Sequence, residues 1–161
     1  MSPDLLEQAR ELLDVLRVRQ LVLATAESCT GGLICACLTE IPGSSDGLDR
    51  GFVTYSNEAK AQMLGVPEEL IATKGAVSEE VACAMAEGAL KHSNADIAVS
   101  VTGIAGPGGG SADKPIGLVH FAVARRGGVL NPLRCTYGDL GRSQVREKSV
   151  EEAFRLVHSV I

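Results

Sequence analysis

The sequence predicts an α/β domain of three layers, with helices on both faces of a mixed, mostly parallel sheet of about five strands. Three observations point there. Apolar runs of strand length alternate with helical segments along the chain. Ala95 to Val101 is almost uninterruptedly apolar, as in a strand buried on both faces. Two later strand-like segments are joined by a turn at Gly127-Gly128, so at least one strand runs antiparallel to its neighbour. The chain has 161 residues, 45% of them hydrophobic, which suits one domain (1–161) with a substantial aliphatic core.

Ser2 and Pro3 read as an N-cap and a first helical position, and Leu5, Leu6, Ala9, Leu12, Leu13 and Leu16 recur at helical spacing, so 3–18 is a helix. Residues 21–27 read as a buried strand and 31–40 as a helix ended by Pro42-Gly43. A short strand spans 51–56. Asn57 is the expected N-cap of a helix from Glu58 to Leu64, and Gly65 its stop. Pro67 starts a short helix. Ser78 caps a longer one from Glu79 to Lys91, with two glutamates in the first turn. Strands at 95–101, 117–124 and 129–136 follow. A helix from Arg142 to Ile161 closes the chain.

Bulk properties exclude several functions. The net charge of −5 lacks the basic surplus of a general nucleic-acid binder. No apolar stretch has the length of a membrane span, and no secretory leader precedes the first helix. Five cysteines, an odd number without a C-x-x-C pair, suit a reducing cytoplasm. His92, His120 and His158 are scattered without metal-ligand spacing, so neither a metal nor another cofactor is expected. Such domains often assemble into homo-oligomers, and the apolar 33–38 stretch or the last helix offers a surface.

The most informative stretch is Thr25 to Gly32. Read as strand, tight turn, helix, it sets Ser28 and several free N–H groups at one exposed point. The amides of Thr30, Gly31 and Gly32 would stabilise an oxyanion beside a serine nucleophile. A plain Ser/Thr N-cap explains the same residues. Three segments should meet at the carboxyl ends of strands, where open α/β sheets bind ligands: 28–32, 55–60 and 102–110.

A serine nucleophile needs a base, and no histidine is placed to serve. Of five lysines only Lys60 follows a strand end closely, and Ser–Lys pairs are a known alternative to the histidine triad. A lysine base must be neutral. Its pKa must fall from about 10.4 to roughly 7–8, which disfavours the cation by about 4 kcal/mol and calls for burial. Glu58 would oppose that if it pointed inward. Lys60 as a solvated helix residue remains the simpler alternative. Tyr55 is either a hydroxyl that orients Lys60 or a half-buried strand residue. Cys29 is a second candidate nucleophile. The glycine-rich 102–111 loop, with Thr102, Gly103 and Gly106, suits close approach to a phosphate, although it matches neither Walker A nor G-x-G-x-x-G. Arg142 and Arg146 could supply charge for that phosphate, or lie on a solvated helix face.

Four segments, Ala26 to Gly32, Gly51 to Lys60, Gly75 to Ser78 and Thr102 to Pro107, together resemble the CinA C-terminal domain family. The resemblance covers nearly the whole chain and keeps the motif order. It implies an anticodon-binding-type α/β/α fold and, as in stand-alone members, deamidation of nicotinamide mononucleotide to nicotinate mononucleotide and ammonia without metal. It implies Ser28 as nucleophile, Lys60 as base, Tyr55 as a supporting hydroxyl, and Thr102 and Arg142 as substrate contacts or catalytic support. Many members read Gly-Asp-Arg where this chain has Gly138-Asp139-Leu140-Gly141-Arg142, so the arginine is displaced by two residues. The molybdopterin-binding-like domain of longer relatives is not expected here. A nucleotide-binding module without turnover is the alternative.

Overall fold

A computed structural model describes all residues from 1 to 161. Its five strands are β1 (Leu23–Glu27), β2 (Leu48–Val53), β3 (Ile97–Gly103), β4 (Leu118–Arg125) and β5 (Leu130–Thr136). The helices are α1 (Pro3–Arg19), α2 (Leu33–Thr39), α3 (Asn57–Leu64), α4 (Glu68–Lys74), α5 (Glu79–Lys91) and α6 (Arg142–His158). The sheet order is β2-β1-β3-β4-β5. β1 pairs in parallel with both β2 and β3, and β4 pairs antiparallel with β3 and β5. Four strands therefore point one way and β4 the other, so the expected mixed, mostly parallel sheet is found.

Period-two alternation distributes the side chains between two cores. On one face Leu23, Ile97, Val99, Val101, Val119, Phe121 and Val123 meet α1, α2 and α6. On the other face Ala24, Ala26, Ala98, Ala122 and Ala124 meet α5. The second face is nearly all alanine, so α5 lies close enough for buried Ser100 Oγ to donate to the Ala82 carbonyl at 2.6 Å. α5 in turn backs α3, the helix that carries Lys60.

Element boundaries differ from the sequence reading in two places that matter. The strand expected at 51–56 lies at Leu48–Val53, and the cap of α3 is Ser56, not Asn57: Ser56 Oγ accepts from the Ala59 N–H at 3.0 Å. Both residue types cap well, and the early end of β2 leaves Ser56 in the extended conformation a cap needs. The helix expected from Gly31 begins at Leu33, because Gly31 and Gly32 have φ of 60° and 94°.

β1 connects to β2 through α2 on one face and β2 to β3 through α3, α4 and α5 on the other. The order therefore reverses at β1, which opens a crevice above the carboxyl ends of β1, β2 and β3.

The α3–α5 contact is tight at Gly88, where an added Cβ would stand 2.1 Å from the Leu64 carbonyl oxygen. Gly88→Ala gains about 1 kcal/mol of helix propensity, but the clash is with backbone. A net loss of about 1–3 kcal/mol is expected from overpacking, measured as a lower urea midpoint at unchanged m.

Candidate active site

The crevice holds a cavity of about 200 Å³ lined by residues from all three strand exits, including Ser28, Cys29, Tyr55, Lys60, Thr102, Gly103 and Arg142. Ser28 leaves β1, and its N–H donates to the Val101 carbonyl at 2.9 Å, which ties the start of the turn to β3. Lys60 comes from α3. Its side chain is 1% exposed, and Nζ lies 3.0 Å from Ser28 Oγ, 2.9 Å from the Thr54 carbonyl oxygen and 3.3 Å from the Tyr55 carbonyl oxygen.

No carboxylate forms an ion pair with Lys60. Glu58 points outward, where it accepts from Gln62 Nε2. Burial therefore lowers the lysine pKa, because a cation out of water is costly and no carboxylate is paired with it to offset that cost. The solvated-lysine alternative does not survive this burial. Burial acts oppositely on Cys29, pushing its thiol up to about 12 and disfavouring the thiolate a cysteine nucleophile needs.

Glu27 is the residue that sequence reasoning missed. It ends β1, fully buried, and its carboxylate accepts from the N–H groups of Gly32, Ile34 and Cys35 at 3.0–3.1 Å and from Thr25 Oγ1 at 3.2 Å. The first turn of α2 is thus already satisfied. Of the three amides expected to hold an oxyanion, that of Gly32 is taken by Glu27 and that of Gly31 by the Ser28 carbonyl at 3.0 Å, whereas the Thr30 N–H donates to no oxygen, although Thr30 is buried and outside the cavity lining. The N–H of Cys29, which does line the cavity, donates to no oxygen.

Tyr55 is half right. Its hydroxyl accepts from Arg142 Nη2 at 3.2 Å and does not reach Lys60; only its carbonyl does. The ring is 62% exposed at the mouth of the cavity, so it is not a core strand residue either. Arg142 also donates to the Gly106 carbonyl at 2.9 Å, which fastens the glycine loop to α6. Gly106 itself lies behind the lining. Thr102 Oγ1 donates to the Ala76 carbonyl at 2.8 Å and holds the 75–78 segment over the cavity. Arg146 lies outside the cavity lining and donates to the Cys29 and Thr30 carbonyls. No three His, Cys, Asp or Glu side chains converge as a metal-ligand set.

The family model described as the CinA C-terminal domain matches residues 6–161. The chain belongs to the CinA C-terminal domain family. Escherichia coli K12 nicotinamide-nucleotide amidohydrolase PncC is 50% identical over 153 residues, 94% of this chain and 92% of that protein. A Symbiobacterium thermophilum protein named as competence-damage inducible is 51% identical over 152 residues, 89% of this chain but 35% of that protein. The chain spans about a third of the length of that relative and of a similar Caldicellulosiruptor bescii protein, of which it covers 36%. Among solved structures, the competence/damage inducible protein CihA from Agrobacterium tumefaciens superposes with a TM-score of 0.97 at 51% identity, covering 99% of this chain and 96% of that one. An Escherichia coli CinA superfamily protein gives 0.92 at 30% identity, covering all of this chain and 94% of the other. The CinA fold thus accounts for the whole architecture.

Glu27→Gln replaces an acceptor oxygen by an NH₂ group among buried donors. It is expected to cost about 2–4 kcal/mol, seen by urea unfolding, since hydrogen bonds to a charged group contribute about 1.5–3 kcal/mol each and unpaired buried groups add to the loss.

Proposed function

We propose that this protein hydrolyses the carboxamide of nicotinamide mononucleotide to nicotinate mononucleotide and ammonia, with Ser28 as nucleophile and Lys60 as base. The observation that carries the reading is the set of three oxygens around Lys60 Nζ. A neutral amine has two N–H groups and one lone pair. Carbonyls can only accept, so those of Thr54 and Tyr55 take the two N–H groups, and the lone pair faces Ser28, the one neighbour with a proton to give.

In the acylation step Ser28 Oγ bonds to the carboxamide carbon, and its proton passes to Lys60. The carbonyl electron pair moves to oxygen, next to the Cys29 N–H. Lys60 then gives the proton to the departing nitrogen, which leaves as ammonia. Water attacks the acyl-enzyme by the same route, its proton returning through Lys60 to Ser28. A cavity of about 200 Å³ is below the roughly 300–1,000 Å³ that encloses a whole drug-sized ligand, so it suits the pyridine ring and carboxamide. The ribose phosphate would then extend past Tyr55 and Arg142 at the mouth. The name of the 50% identical PncC supports the substrate.

Ammonia release from nicotinamide mononucleotide is the test. Ser28→Ala and Lys60→Ala are each expected to lower kcat by at least about a thousandfold, with circular dichroism unchanged. kcat/KM should rise with pH through the Lys60 pKa, because only the neutral amine accepts a proton, and this limb should fall below the ordinary lysine value of about 10.4. Nucleotide binding by calorimetry with no ammonia released by the intact protein would instead identify a binding module without turnover.

A further inference from the structure

Arg142 and Arg146 leave α6 one turn apart and both reach over the carboxyl ends of the strands, Arg142 at the exits of β2 and β3 and Arg146 at the exit of β1. Arg142 lines the cavity; Arg146 does not. Arg146 Nε donates to the Cys29 carbonyl at 3.2 Å and Nη2 to the Thr30 carbonyl at 2.8 Å. It forms no ion pair with a carboxylate. One rigid, planar fork on two successive carbonyls fixes two successive peptide planes.

The consequence can be followed plane by plane. The only cis peptide is Gly106–Pro107, so the peptides of the turn are trans, and in each the N–H points opposite to the C=O. Holding the Thr30 carbonyl turns the Gly31 N–H away from Arg146, where it donates to the Ser28 carbonyl at 3.0 Å. Holding the Cys29 carbonyl points the Thr30 N–H away from Arg146, and that N–H donates to no oxygen; holding the Ser28 carbonyl points the Cys29 N–H the opposite way within its own peptide plane. This N–H has no oxygen partner, follows the serine directly, and belongs to a residue that lines the cavity. An N–H without an oxygen partner in a residue only 6% exposed is uncommon.

We propose that Arg146 is a positioning residue: its grip on the Thr30 carbonyl, passed on by the Gly31 N–H to the Ser28 carbonyl, aims the Cys29 N–H at the oxygen that turns negative when Ser28 attacks, and its grip on the Cys29 carbonyl fixes the plane that carries the Thr30 N–H. The inference rests on the Ser28–Lys60 reading. Arg146 exchanges no proton and forms no covalent bond. It acts by keeping a donor in place before charge develops, so its contribution belongs to the transition state and not to substrate binding.

The test compares the wild type with Arg146→Ala and Arg146→Lys in two assays on the full chain. One is steady-state ammonia release from nicotinamide mononucleotide. The other is the rate at which a fluorophosphonate labels Ser28, read by intact mass. Labelling places a phosphonyl oxygen where the oxyanion would form and needs no nucleotide, so it probes Arg146 independently of the substrate. For Arg146→Ala the expected result is a loss in kcat of about 100-fold, with KM within threefold of the wild type and labelling slowed similarly. Millimolar methylguanidinium should restore part of both rates. Arg146→Lys should fall between, because an ammonium can hold one carbonyl but cannot fork.

A raised KM at unchanged kcat would make Arg146 a substrate ligand and overturn the proposal, as would labelling at the wild-type rate. Should Arg146→Ala fail to fold, Arg146→Lys decides: a drop of tenfold or more at unchanged KM supports the role, and wild-type kcat removes it. A wild type that labels but releases no ammonia refutes the substrate and leaves the Arg146 comparison standing. A wild type that does neither refutes Ser28 and this inference together.

Discussion

The site depends on an amine kept out of water without a counter-ion. Lys60 Nζ has three oxygens around it and no carboxylate, so the fold satisfies its hydrogen bonds while withholding the charge partner that would lock it as a cation. A salt bridge there would hold the pKa high and silence the base. Two of the three oxygens are backbone carbonyls from the short link between β2 and α3, so the same six residues, Thr54 to Ala59, end a strand, cap a helix and seat the amine. The Ser56 cap sets the start of α3, and with it the turn on which Lys60 faces the sheet.

Glu27 solves a second electrostatic problem. A helix that starts soon after Ser28 exposes N–H groups, and these attract whatever anion is near. By placing a carboxylate at the end of β1, the chain fills that position from within and fixes where α2 begins. The helix terminus is then a structural joint. The loop between Glu27 and Leu33 is held from both sides, by the Glu27 carboxylate on its later amides and by the Arg146 guanidinium on its earlier carbonyls. What is left without an oxygen partner in that loop is the pair of N–H groups of Cys29 and Thr30, beside Ser28.

The layering was legible because apolar periodicity reports burial directly: the continuous run before Thr102 becomes the double-buried β3, and the leucine repeat of residues 5–16 becomes the inner face of α1. Ser28 and Lys60 were legible because few other residues of their type follow a strand end. The hidden parts concern hydrogen-bond allocation. Glu27 sits at the end of an apolar run and looks like a surface residue at a strand exit, and only the fold shows that its carboxylate turns inward. Gly31 and Gly32 looked like open donors because a sequence does not show which amides are already taken. Tyr55 was paired with Lys60 on proximity in sequence, whereas its exposed ring points to Arg142. Ser56 and Asn57 are equally good caps, and the choice between them was made by where β2 ends, a pairing decision with no local signal.

Charge around the cavity runs against that of the whole chain. The protein carries a net charge of −5, yet no aspartate or glutamate lines the cavity, while Arg142 does and Arg146 lies directly behind Cys29. The nearest buried carboxylate, Glu27, spends its acceptor capacity on helix amides and a threonine hydroxyl. In a chain of that sign, a guanidinium at the cavity mouth favours a small anion at that point.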